Sequence, residues 1–151
     1  MNEPHTILLV DDSENDLLLM GAALKMAKWN VARREVRDGE QAIAYLKGEG
    51  PFSDRDQYPL PTILVLDLNV PKMNGFEVLA WVRAQPGLKR LAVIIMTASM
   101  RVEDVTRAFD LGATSFLVKP SSLDELAAMM RCLGDWAQIN HFPPLQDACG
   151  K

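Results

Sequence analysis

Three aspartates, a threonine and a lysine each stand directly after a short apolar run. Asp11 and Asp12 follow ILLV, Asp67 follows ILVL, Thr97 follows VIIM and Lys119 follows SFLV. Singly, each has a plain structural explanation. Asp12 beside Ser13 suits helix capping, Thr97 suits a cap on the next helix, and Lys119 suits a solvated strand end. Their combination is harder to explain that way, because three neighbouring carboxylates repel one another unless something positive compensates. Hard oxygen donors in this number suit Mg²⁺, which binds few carboxylates and completes its octahedron with water and phosphate. A hydroxyl and an ammonium then hold the remaining oxygens of a phosphoryl group, and an aspartate can itself be the nucleophile, forming an acyl phosphate.

That chemistry requires the five residues to meet, and the elements around them make it so. Apolar runs at Thr6–Val10, Ile63–Leu66, residues 91–96 and Ser115–Val118 read as strands covered on both faces, and the more charged VARREV at 31–36 reads as an edge strand. Helical patterns lie between them. Leu17, Met20, Gly21, Leu24 and Ala27 form one stripe within residues 14–28. Phe76, Leu79 and Val82 form another, Val102, Val105 and Phe109 a third before the cap Gly112, and Leu123, Leu126, Met130 and Leu133 a fourth. Ser13 with Asp16, Asp38 with Gln41, Asn74 with Glu77 and Ser122 with Glu125 are start signals, each a capping residue followed three positions on by a side chain able to reach back.

Alternation of strand and helix forces parallel pairing. The expected fold is therefore α/β: a doubly wound five-stranded parallel sheet of flavodoxin-like order 2-1-3-4-5 in a three-layer α/β/α sandwich. In such a sheet ligands sit at the carboxyl ends of the central strands, where all five residues fall. Residues 1–137 form the expected domain and 138–151 a tail. The loop at 48–61 exceeds the usual helix-to-strand connection of about 2–6 residues, and both it and the tail are candidate contact surfaces.

Composition narrows the functions. The 151 residues carry 16 Lys plus Arg against 20 Asp plus Glu, a net charge of −4, which argues against nucleic acid as a direct partner. The N-terminal stretch meets aspartate too soon for a signal peptide or membrane span. Two cysteines, Cys132 and Cys149, suit reduced thiols in a cytoplasmic protein and receive no role.

The segments LLVDDSEND, LVLDLNVPKMNGFEVL, IIMTAS and LGATSFLVKP resemble, in order and spacing, the motifs of response-regulator receiver domains of two-component signalling. The resemblance implies a phosphoacceptor signalling protein rather than an enzyme with its own substrate, with Asp67 the acceptor of a phosphoryl group from a sensor histidine kinase. It implies that Asp12, Asp67 and the main-chain carbonyl of Asn69 ligate Mg²⁺, with Asp11 acting through a bound water. Thr97 and the Ala98 N–H are then expected to receive phosphoryl oxygens, Lys119 to pair with the phosphate, and a cis bond to join Lys119 to Pro120. Thr97 and Phe116 are the implied switch pair, remodelling the face of the fourth helix, fifth strand and fifth helix, and Asn69 and Ser99 line the path of attacking water. On the fifth helix, Met129, Met130 and Cys132 cannot share one buried stripe, which leaves a docking surface and a simple edge of the core equally open there.

The stretch DLNVPKMNGFEVL, the long Pro-containing loop and a tail with FPP further resemble the single-domain regulators paired with bacterial phytochrome kinases, which implies a light-linked kinase and a homodimer. No output domain is recognised after the fifth helix, so a downstream protein target is expected.

Three other readings compete. A haloacid dehalogenase-type hydrolase also uses a strand-end aspartate, but resembles its relatives in a second aspartate two positions on, where this chain has Asn69. A flavin carrier needs a Ser/Thr/Gly-rich loop after the first strand, where DDSEND would repel phosphate. A binding module that is never phosphorylated has no need of all five site residues.

Overall fold

The structure is a computed structural model and describes residues 5–147; Cys149 lies outside them. Five strands, β1 (Thr6–Val10), β2 (Ala32–Val36), β3 (Ile63–Leu66), β4 (Ala92–Thr97) and β5 (Ser115–Val118), alternate with helices α1 (Glu14–Met26), α2 (Gly39–Lys47), α3 (Gly75–Ala84), α4 (Val102–Asp110) and α5 (Leu123–Ile139). All pairings are parallel and the order is β2-β1-β3-β4-β5, as the alternation requires.

The period of two along each central strand divides the core into two layers. Leu8, Val10, Leu64, Leu66, Val93 and Ile95 face α2 and α3, packing with Tyr45, Leu46, Phe76, Leu79 and Val82. Ile7, Leu9, Ile63, Val65, Ile94 and Met96 face α1 and α5, packing with Leu17, Met20, Leu24, Leu126 and Met130. Four start signals work as capping does. Ser13, Asp38, Asn74 and Ser122 each accept the N–H three residues on, and Asn74 with Glu77 closes a full capping box.

Two points go beyond or against the expectation. The stripe on α4 is present but does not face the core: Val102 is 74% and Phe109 50% exposed, while Ala108 is the buried residue of that helix. Periodicity identifies an amphipathic helix but not what covers its apolar face, and here that face meets solvent. Nor is β5 covered on both faces. It is the sheet's second edge, half-buried along Ser115–Leu117 and exposed at Val118.

The long loop folds back onto its own domain. Phe52 and Tyr58 pack around the buried Tyr45, whose hydroxyl donates to the Pro59 carbonyl at 2.8 Å. The Arg55 guanidinium donates to the carbonyls of Tyr45 and Leu46 at the end of α2, to that of Tyr58, and to Asp147 Oδ1 at 2.6 Å in the tail. The tail is tied down again where the Gln146 N–H donates to the Gly87 carbonyl at 2.9 Å and where Phe142 stacks edge-on with Trp136 and His5.

Candidate functional site

The sheet register brings the strand ends level. Asp67 donates its N–H to the Val10 carbonyl, Asp11 to that of Val36, and Lys119 to that of Thr97 at 2.8 Å. The start of α3 is pressed against the end of β3: the Gly75 N–H donates to the Leu68 carbonyl, and a Cβ on Gly75 would lie 2.6 Å from the Asp67 carbonyl oxygen. Only glycine permits that approach.

At the centre stands the Lys119 ammonium, 2.7 Å from Asp11 Oδ2, 2.7 Å from Asp16 Oδ2 and 2.8 Å from Asp67 Oδ2. The other oxygens of two of these carboxylates are pinned by backbone. Asp11 Oδ1 accepts from the Ser13 N–H at 2.9 Å, and Asp67 Oδ1 from the Asn69 N–H at 3.1 Å. Burial raises the Asp11 carboxyl above its ordinary value, against the pull of the Lys119 hydrogen bond. Burial alone would lower the Lys119 ammonium, yet its three carboxylate partners more than offset this and the net shift is upward. The lysine is therefore charged throughout the neutral range, and the aspartates' excess negative charge is held beside it.

Thr97 is fully buried, and its hydroxyl has no hydrogen-bond partner among the described residues. Buried hydroxyls are ordinarily satisfied, so this one is an acceptor or donor in waiting. Asp12 and Asn69 are exposed and line a depression of about 420 Å³ with Val70, Asn74, Phe76 and Arg107, whose guanidinium lies 4.2 Å from the Phe76 ring centre. Ala98 is exposed at the end of β4, and Phe116 is half-buried against the core.

These observations match the receiver pattern. The family model of the response regulator receiver domain covers residues 7–131. The chain belongs to that family. Its relatives include response regulator Rcp1 of Synechocystis, 36% identical over 86% of this chain and 86% of that protein. Among solved structures, the phosphorylated cyanobacterial phytochrome response regulator RcpA superposes with a TM-score of 0.85 at 30% identity, covering 93% of this chain and 99% of that one. The Mn²⁺-bound form of Rcp1 superposes with a TM-score of 0.81 at 34% identity over the same shares. The receiver is thus one of the two-component response regulators, and the hydrolase and flavin readings are set aside.

Two features of this receiver depart from the sequence reading. Asp16 was expected only to cap α1; its N–H does bond to Ser13 Oγ, but its carboxylate reaches Lys119 instead of the cap. The available signal was a fourth aspartate in the first turn of the helix that starts at the site. And no peptide bond among the described residues is cis, so Lys119–Pro120 is trans, the isomer that X–Pro bonds intrinsically prefer by about 0.5–1 kcal/mol.

The donor set of the receiver has the chemistry for a divalent cation: hard oxygens, and more negative charge than one ammonium balances. No three acidic, histidine or cysteine side chains among the described residues form a metal-holding group; the Lys119 ammonium stands among Asp11, Asp16 and Asp67.

Proposed function

We propose that this receiver takes a phosphoryl group onto Asp67 from a sensor histidine kinase and passes the signal on through its α4, β5 and α5 face. The observation that carries this reading is Asp67 itself. One carboxylate oxygen is fixed by the Asn69 N–H and the other by the ammonium of Lys119, whose main-chain N–H donates to the carbonyl of Thr97, a buried residue whose hydroxyl has no partner among the described residues.

In the transfer, an Asp67 oxygen attacks phosphorus while the bond from phosphorus to the kinase's phosphohistidine nitrogen breaks, and the imidazole leaves with the electron pair. Lys119 keeps its proton and pairs with a phosphoryl oxygen; the Thr97 hydroxyl and the Ala98 N–H donate to others. Asp12, Asp67 and the Asn69 carbonyl, with Asp11 through water, are the proposed holders of Mg²⁺, which when bound neutralises charge between carboxylate and phosphoryl group. Thr97, drawn to the phosphoryl group, leaves room into which half-buried Phe116 can turn, so the two act as the switch.

The exposed Val102, Phe109 and Val118 support an apolar docking partner at this face. The partners we propose are a kinase of the phytochrome type, a downstream protein target and a second copy of this chain, in a cytoplasmic setting. Incubation with acetyl phosphate and Mg²⁺ followed by intact-mass measurement tests the reading. Wild type gains one phosphoryl group and Asp67→Asn gains none; equal gain in both, or none in wild type, defeats it.

A further inference from the structure

An ammonium has three N–H donors, and those of Lys119 go to Asp11, Asp16 and Asp67 at 2.7, 2.7 and 2.8 Å. The three acceptors are held very differently. The Asp11 side chain is 2% exposed and that of Asp67 9%, and each has its second oxygen on a backbone N–H. Asp16 is 33% exposed, and its contact with Lys119 is the one hydrogen bond its carboxylate makes among the described residues.

A phosphoryl group on Asp67 takes one oxygen of that carboxylate as its anhydride link and offers the ammonium acceptors further out, on phosphorus, so Lys119 must move toward them against its other two carboxylate partners. Of those two, Asp16 gives way at least cost, because water can solvate it once it is released. Asp11 cannot, being buried and fixed. Resting on the reading of Asp67 as phosphoacceptor, we propose that Asp16 is a positioning residue that competes with the phosphoryl group for the Lys119 ammonium, so that its charge sets how firmly the site retains that group. Its place as the third residue of α1, with its N–H bound to Ser13 Oγ at 3.1 Å, keeps it within reach of the lysine.

The test is a titration with beryllium fluoride, a phosphoryl analogue, at saturating Mg²⁺, together with the lifetime of the acyl phosphate formed from acetyl phosphate. Asp16→Asn is expected to bind the analogue roughly three- to tenfold more tightly, the size of a partly exposed charge coupling, and to lengthen the lifetime in proportion. Asp16→Glu, which keeps the charge, is expected to return both toward wild type, and Asp16→Ala gives a second neutral variant should the asparagine fail to fold. A residue that merely braced the lysine would give the opposite sign. Unchanged or weaker binding in the neutral variants, with wild type binding normally, overturns the competition while leaving the receiver reading intact. A wild type that binds no better than Asp67→Asn overturns both.

Discussion

The Lys119 ammonium and the Asp67 carboxylate meet at 2.8 Å across 52 positions of sequence, with Asp11 and Asp16 on the same ammonium. One cation thus holds together the ends of β1 and β3 and the first turn of α1. Lys119→Ala leaves the buried Asp11 carboxylate without its counter-charge. Breaking such a pair from one side costs about 3–5 kcal/mol, less whatever protonation of Asp11 recovers. Urea melts in chelator read this loss, and the raised Asp11 carboxyl gives its pH dependence. A folded value above the unfolded 3.8 favours the protonated form in the fold, so the deficit shrinks as pH falls toward that range. A deficit that is absent, or that grows on acidification, contradicts the central role given to Lys119.

Mg²⁺ is expected to stabilise the receiver by relieving repulsion among its aspartates. A ligand confined to the folded state at a hundredfold excess over Kd contributes about 2.7 kcal/mol, or roughly 5–10 °C in Tm for a domain of this size. Asp67→Asn, with one charge fewer, should melt at or above wild type in chelator and gain less from the metal. Thermal melts of both proteins decide this, and an equal gain in the mutant rules out Asp67 as part of the metal site.

Gly75→Ala places a methyl group 2.6 Å from the Asp67 carbonyl oxygen and 2.7 Å from Leu68 Cα. Backbone cannot move aside cheaply, so the substitution is expected to cost about 1–3 kcal/mol and to slow phosphorylation of Asp67 by acetyl phosphate. A normal rate in a folded Gly75→Ala protein would mean that the start of α3 does not position the acceptor.

Arg55 joins the end of α2, the long loop and the tail through four hydrogen bonds. Arg55→Ala is expected to lose about 1–3 kcal/mol, since buried carbonyls lose their donors. Arg55→Lys recovers little, because a point charge cannot replace the guanidinium fork. The sequence-based expectation that the 48–61 loop serves as contact surface is thereby narrowed: deleting it would also strip Tyr58 and Arg55 from the core. Denaturant melts separate that stability loss from any change in oligomeric mass by light scattering.

Tyr45 is fully buried, and burial pushes its hydroxyl from 10.0 up to about 12. Only the neutral form can donate to Pro59. Because the folded value is the higher one, the stabilisation is complete below pH 10 and is lost as pH rises from 10 to 12, about 3 kcal/mol in all. In Tyr58→Phe, Tyr45 is the sole tyrosine of the two, and ultraviolet absorbance should show it ionising near pH 12 or together with unfolding. Ionisation near pH 10 in the folded protein would contradict this burial.

The sequence by itself determined the sheet and the core of the site. Continuous apolar runs mark strands, their alternation with helices admits only parallel pairing, and the residues at or just past the ends of β1, β3, β4 and β5 then fall at one edge. Asp11, Asp67, Thr97 and Lys119 were legible for that reason. Three matters belonged to the tertiary structure. Asp16 was read as a cap because capping is local and visible in spacing, whereas its partner Lys119 lies 103 positions away. The exposure of Val102 and Phe109 was not legible in their stripe, because periodicity records that a helix has an apolar face but not whether the chain supplies a surface to cover it. Arg55 carried no signal at all. Its guanidinium gains its role only where the end of α2, the loop and the tail converge, since carbonyls from two segments and a carboxylate from a third become one hydrogen-bonding site only once the fold brings them together.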